Sequence, residues 1–128
     1  MANPEHVEIV KQGAEAIEKW QKQNPGTMFD LREANLQHAS LCGAYLCGAW
    51  LGGINLRGAD LRIANLTAAN LIGADLSSAN LHQANLEGAD LLGCNLSSAD
   101  LRSAKLAYTQ VGQANLCGAD LSRASLFD

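Results

Sequence analysis

The stretch ANLIGADLSSANLHQANLEGADL, residues 69–91, returns a small residue, then Asn or Asp, then Leu every five positions. A period of five suits neither regular element. On an α-helix, leucines five apart step about 140° around the axis and spread over the whole surface instead of forming a stripe. On a flat strand, side chains alternate faces, so an odd spacing sends every second leucine to the opposite side. The chain therefore needs a backbone that repeats its own direction once per five residues.

Working outward from this stretch, the register runs without insertion from Leu31 through Leu126, 20 consecutive units in which only Val111 replaces the central Leu. Two positions before the centre, 16 units carry Ala, the exceptions being Phe29, Ile54, Cys94 and Thr109. One position before it, 14 units carry Asn or Asp. One position after it almost anything occurs: Arg32, Gln37, Cys42, Thr67, His82, Leu92 and Phe127. The centre and the small residue lie on the same side of a short extended segment and point inward together, with Asn or Asp between them pointing out. The remainder of each unit turns a corner. Asn and Asp bond nearby backbone groups in tight turns, and Gly, two positions after the centre in eight units, accepts a positive φ. A chain that turns the same way after every unit is an all-β solenoid, its coils stacked at about 4.8 Å.

This A(D/N)LXX pattern, as in Ala74-Asp75-Leu76, resembles the pentapeptide repeat family over residues 29–128. The resemblance implies a right-handed quadrilateral β-helix with four units per coil, and hence about five coils here. It also places the chain with small, Leu-centred members carrying an N-terminal capping helix, which are found in photosynthetic bacteria. The expected organisation is a capping helix and linker over 1–28 and the β-helix over 29–128.

Residues 4–23 read as one capping helix. Asn3 is its N-cap, Pro4 suits the first turn, and Asn24-Pro25-Gly26 stops it. Val7, Val10, Ala14 and Ile17 recur at helical spacing, with Ile9 and Trp20 beside them. At the far end nothing in the sequence covers the last coil, so Val111, Leu116, Leu121, Leu126 and neighbouring Phe127 form an expected self-association end, through which two chains would meet end to end.

Composition narrows the function class. A net charge of −4 argues against a nucleic-acid binder or a polybasic membrane binder. No stretch approaches the roughly 20 apolar residues of a membrane span, and no secretory leader is read, so the expectation is a cytoplasmic protein with reduced thiols. Cys42, Cys47, Cys94 and Cys117 include no pair one coil (20 residues) apart, and His38, Cys42 and Cys47 fall on three successive faces and diverge. Neither a disulfide nor a metal site is expected. His82 stacks between Arg62 and Arg102 with Ser122 two coils away. A filled, narrow interior offers no substrate pocket, so no catalytic residue and no cofactor are expected.

Two outward features remain. One face carries Arg62, His82 and Arg102 with Asp60, Asp100, Asp120 and Arg123 nearby, read as a solvated charge ladder. The next carries Trp50, Ile72 and Leu92 among Gly52, Gly53, Gly73 and Gly93, and is the expected partner surface; the rival placement of Trp50 is beside Tyr45 near the cap. The expected function is a non-enzymatic, rigid protein–protein interaction module. The alternative that the resemblance raises is a DNA-mimic modulator of DNA gyrase or topoisomerase, although those relatives are longer, dimeric, markedly acidic and centred on Phe. A regulator of differentiation or stress is compatible with the sequence and specifically supported by nothing in it.

Overall fold

The computed structural model describes residues 1–127. Two helices, α1 (Pro4–Lys11) and α2 (Ala14–Gln23), precede a four-sided β-helix. Each face is one parallel ladder in which residues 20 apart pair: Asp30, Trp50, Asn70, Asp90 and Gln110 form one, and the others start at Asn35, Ser40 and Tyr45. One coil is thus four pentapeptides, and five residues stand in each ladder.

The unit Ala74–Ser78 shows why the sequence folds this way. The Ala74 N–H donates to the Leu71 carbonyl at 2.9 Å, closing a turn over Ile72 and Gly73. The Asp75 N–H reaches back one coil to the Ile54 carbonyl at 2.9 Å, while the Leu76 and Ser78 N–H groups reach forward to Asn95 at 2.7 Å and Ser97 at 2.9 Å. The remaining donor, on Ser77, is met by the Asp75 side chain at 3.0 Å. Every N–H of the unit is therefore bonded, which a buried backbone requires. All 14 Asn and Asp residues of this position, from Asp30 to Asp120, make the same bond to the N–H two residues on. They are corner supports, as expected of Asx turns.

The third residue of each turn has a positive φ in every unit from Glu33 to Arg123, as a type II turn demands. Eleven of these residues are not glycine. Ile63, at φ 52, is the sharpest case, since a β-branched side chain is disfavoured there.

The interior is closed. From Leu41 through Leu101 no central residue is more than 1% exposed, and the same holds for the small position from Ala44 through Ala104. Ile54 and Cys94 share one inward column with Ala34, Ala74 and Ala114, so the two larger side chains are separated by alanines and the layers interdigitate.

The N-terminal region differs from the single helix expected over 4–23. It is broken at Gln12 and Gly13: Gly13 takes φ 96, ψ −172, a conformation open essentially to glycine alone. The break brings Val10 and Ile17 both to full burial. Asn3 does cap α1, its side chain accepting the Glu5 N–H at 2.9 Å, and α2 stops at Asn24. Both helices lie against the first coil. Phe29, standing where later units have Ala, stacks on Trp20 at 4.6 Å between centroids. His6 sits edge-on to both rings, and the Gln21 side chain donates to the Tyr45 carbonyl at 2.8 Å.

At the opposite end no further coil lies over the last layer among the described residues. Val111, Leu116, Leu121 and Leu126 are 47%, 37%, 38% and 59% exposed, where their counterparts one coil earlier are buried.

Candidate partner-binding surfaces

Because coils pair residues 20 apart, outward side chains stack in columns at about 4.8 Å. The column that contains Ile72 and Leu92 runs from Arg32 through Gly52 to Gly112. Ile72 and Leu92 are 40% and 42% exposed. Leu92 leans over Gly112, where a Cβ would stand 3.0 Å from the Leu92 Cδ1. Trp50 belongs to the adjoining column with Asp30, Asn70 and Asp90 and is half-exposed. Its partner is Arg32, whose guanidinium carbon lies 5.3 Å from the indole centroid, a cation–π contact. Tyr45, the alternative neighbour expected for Trp50, hydrogen-bonds Cys47, which raises its phenol above the ordinary range. Trp50, Ile72 and Leu92 thus share one face, in two columns, with the glycine corners Gly53, Gly73 and Gly93 alongside.

The charge ladder contains two copies, 60–62 and 100–102, of an Asp-Leu-Arg triplet whose third copy, 30–32, lies on the Trp50 face. In each, the Arg side chain folds back so that Nε and Nη2 donate to the two carboxylate oxygens, at 2.9 and 2.8 Å for Arg32, 2.8 and 2.7 Å for Arg62, and 2.9 and 2.7 Å for Arg102. The same carboxylate accepts the Arg backbone N–H. These donors, the Arg side chain first, hold the Asp30 carboxyl down at about 2, and they lower Asp60 and Asp100 as well. Half-exposed pairs of this kind add little stability. Their effect is electrostatic: each cancels its own acidic charge within one unit. The nearness of Asp60 to Arg62 and of Asp100 to Arg102 was expected as part of a charge ladder, whereas the Arg32–Trp50 contact, which joins two successive coils, had no local signal.

The open end gathers the remaining expected residues. Val111, Leu116, Leu121 and Leu126 line an apolar cavity of about 420 Å³ together with Leu91 and Leu106 below them, and Phe127 stands 83% exposed beside it. The four cysteines are free thiols; Cys42 and Cys117 are exposed, Cys47 is half-buried, and burial pushes the Cys94 thiol up to about 12. Among the described residues no group of His, Cys, Asp and Glu is arranged to hold a metal, and no helix is long and apolar enough to cross a membrane. The ring of His82 is half-buried in the column between Arg62 and Arg102.

The chain matches none of the curated proteins compared with it. Among solved structures it is similar to the pentapeptide repeat protein Rfr23 of the cyanobacterium Cyanothece 51142, at 34% identity over 73% of this chain and 60% of that one, with a TM-score of 0.50. A pentapeptide repeat protein of the Arabidopsis thaliana thylakoid lumen is 29% identical over 74% of this chain and 63% of that one, with a TM-score of 0.59. HetL of Nostoc sp. PCC 7120, described as involved in regulating heterocyst differentiation, is 38% identical over 74% of this chain and 54% of that one, at a TM-score of 0.41. The chain therefore spans 54% to 63% of the length of these three relatives. The family description "Pentapeptide repeats" matches in overlapping segments, 30–62, 43–77, 64–97 and 94–128, which together take in the whole solenoid. With the repeat visible in the sequence, in the backbone ladders and in this match, the chain belongs to the pentapeptide repeat family.

Proposed function

We propose that this protein is a non-enzymatic interaction module, a rigid rod that presents fixed columns of side chains to another protein in the cytoplasm. The observation that supports this reading most is the contrast between an interior closed to 1% exposure and an outward face on which Trp50, Ile72 and Leu92 stand 50%, 40% and 42% exposed beside bare glycine corners. Apolar side chains gathered on one face of a soluble surface mark a contact site, and glycine lets a partner backbone approach. Affinity capture from the native cell extract with wild type and with Ile72→Asp/Leu92→Asp tests it. The double variant should lose the captured partner while keeping its circular dichroism; unchanged recovery would remove this face from consideration.

The open end supports a second contact, with another copy of the same chain. Because α1 and α2 lie against the first coil, two copies that meet through their last coils would form a closed two-fold pair and not a filament. Sedimentation over a range of concentrations should show a monomer–dimer equilibrium that Leu126→Asp/Phe127→Asp abolishes. A chain that stays monomeric at high concentration would overturn it. In the same reading the coils are right-handed and α1 and α2 act as the cap, so removing residues 1–28 should make the solenoid aggregate. The DNA-mimic alternative draws no support from the charged face, where Asp60 and Asp100 are each neutralised by their own arginine, as Asp30 is on the neighbouring face.

A further inference from the structure

Among the described residues His6 is the one polar side chain buried in the core, at 7% exposure, and the interaction reading above does not use it. Its Nδ1 accepts the backbone N–H of Asp30 at 2.9 Å, while the Asp30 carbonyl accepts the Asn3 N–H at 3.0 Å, so the first residue of the first ladder is where α1 is fastened to the solenoid. The imidazole also packs edge-on against both rings of the stacked pair, Trp20 of α2 and Phe29 of the first coil, at 4.9 and 5.4 Å. Three elements thus meet on one titratable ring.

We propose that His6 is a proton-sensitive latch that holds α1 and α2 on the solenoid when neutral and releases them in acid. Only an unprotonated Nδ1 can accept a hydrogen bond; the imidazolium carries N–H on both nitrogens, which would set two donors face to face and leave the Asp30 N–H without a partner. The charge would also sit where water scarcely reaches. The charged groups nearby are at the surface or already paired. On α1 the neighbour is Glu5 in the exposed first turn; on α2, Glu18 and Lys22 pair with each other at 3.1 Å at the surface. On the coil, the Asp30 carboxylate is already held by Arg32 and lies in the field of the N-terminal ammonium. Release would uncover Phe29, Leu31 and Leu36, which are at most 3% exposed when the helices are docked.

Hydrogen–deuterium exchange on the full chain tests the latch. Normalised for intrinsic rates, the opening constant of the α1 and α2 amides should rise toward roughly tenfold per unit as pH falls from about 7.5 to about 5.5, the slope for uptake of one proton. Amides of the central coils, Leu66 to Leu91, should not follow. In His6→Gln, whose side-chain oxygen can accept the same N–H without titrating, the helices should open independently of pH. A wild type without the rise, or a rise that persists in His6→Gln, would overturn the proposal. Should His6→Gln fail to dock, nitrogen NMR of the wild type decides: Nδ1 must be unprotonated at neutral pH, and the Asp30 amide shift must move with the His6 titration. A protonated Nδ1 or an Asp30 amide that ignores it would equally refute the latch.

Discussion

Truncating one leucine in the middle of the tower and one at its open end measures how the core is distributed. Leu86 is 0% exposed, and its unit is pinned on both sides, by Leu86 N–H to Lys105 at 2.9 Å and Asn85 N–H to Ala64 at 2.9 Å. The backbone cannot relax into the space left by Leu86→Ala, so the loss should fall near the upper end of the range for such substitutions, about 4–5 kcal/mol. Leu116 occupies the equivalent inward position but is already 37% exposed, and its cavity is open to water. Leu116→Ala removes only the packed part of the side chain and creates no enclosed void, so about 2 kcal/mol is expected. Urea unfolding followed by circular dichroism reads both, provided the slope with denaturant is unchanged between variants. At low micromolar protein the two losses should differ by about twofold. On the proposed pairing of last coils, the Leu116→Ala loss should grow with protein concentration while that of Leu86→Ala stays constant. Equal losses in dilute solution would refute the reasoning, because they would mean that the last layer is as enclosed as the middle one.

Two further outcomes follow from the same geometry. The Asp30 carboxyl sits at about 2 in the fold against 3.8 for a free side chain, so its contribution is complete above 3.8 and is lost as pH falls through about 2; the urea midpoint of wild type should drop over this interval, and Arg32→Gln should flatten the drop. Cys42, Cys47 and Cys117 should react with a thiol reagent such as Ellman's at neutral pH in the folded protein while Cys94, buried and pushed up to about 12, reacts only on unfolding; a fourth fast thiol would contradict the closed interior.

Much of the solenoid was legible because its cause is local and repeated. The inward pair, as in Ala74 and Leu76, and the corner bond of Asp75 to Ser77 lie within one pentapeptide, so a single reading of the unit transfers to every other. The break at Gly13 was not legible: glycine inside a helical pattern is usually tolerated, and only the need to bring Val10 and Ile17 against the first coil makes it a hinge. Side-chain contacts between coils were legible only as columns. Arithmetic modulo 20 aligned Ile72 with Leu92, yet it could not tell that Arg32, 18 residues before Trp50, would cover that ring. His6 was invisible for a related reason, since its bond to Asp30 depends on where the helix pair docks and not on any spacing in the chain.

The hydrogen bonds between coils have one consequence for mechanics. Between coils each pentapeptide contributes three backbone hydrogen bonds, and they run along the axis of the tower, not across it. A force applied between Asn3 and Phe127 therefore loads these bonds end-on, one rung at a time, and never shears a whole ladder at once. Under tension the rod should peel coil by coil from its open end at low, evenly spaced force steps, each releasing one 20-residue turn, although the same rod resists bending on all four sides.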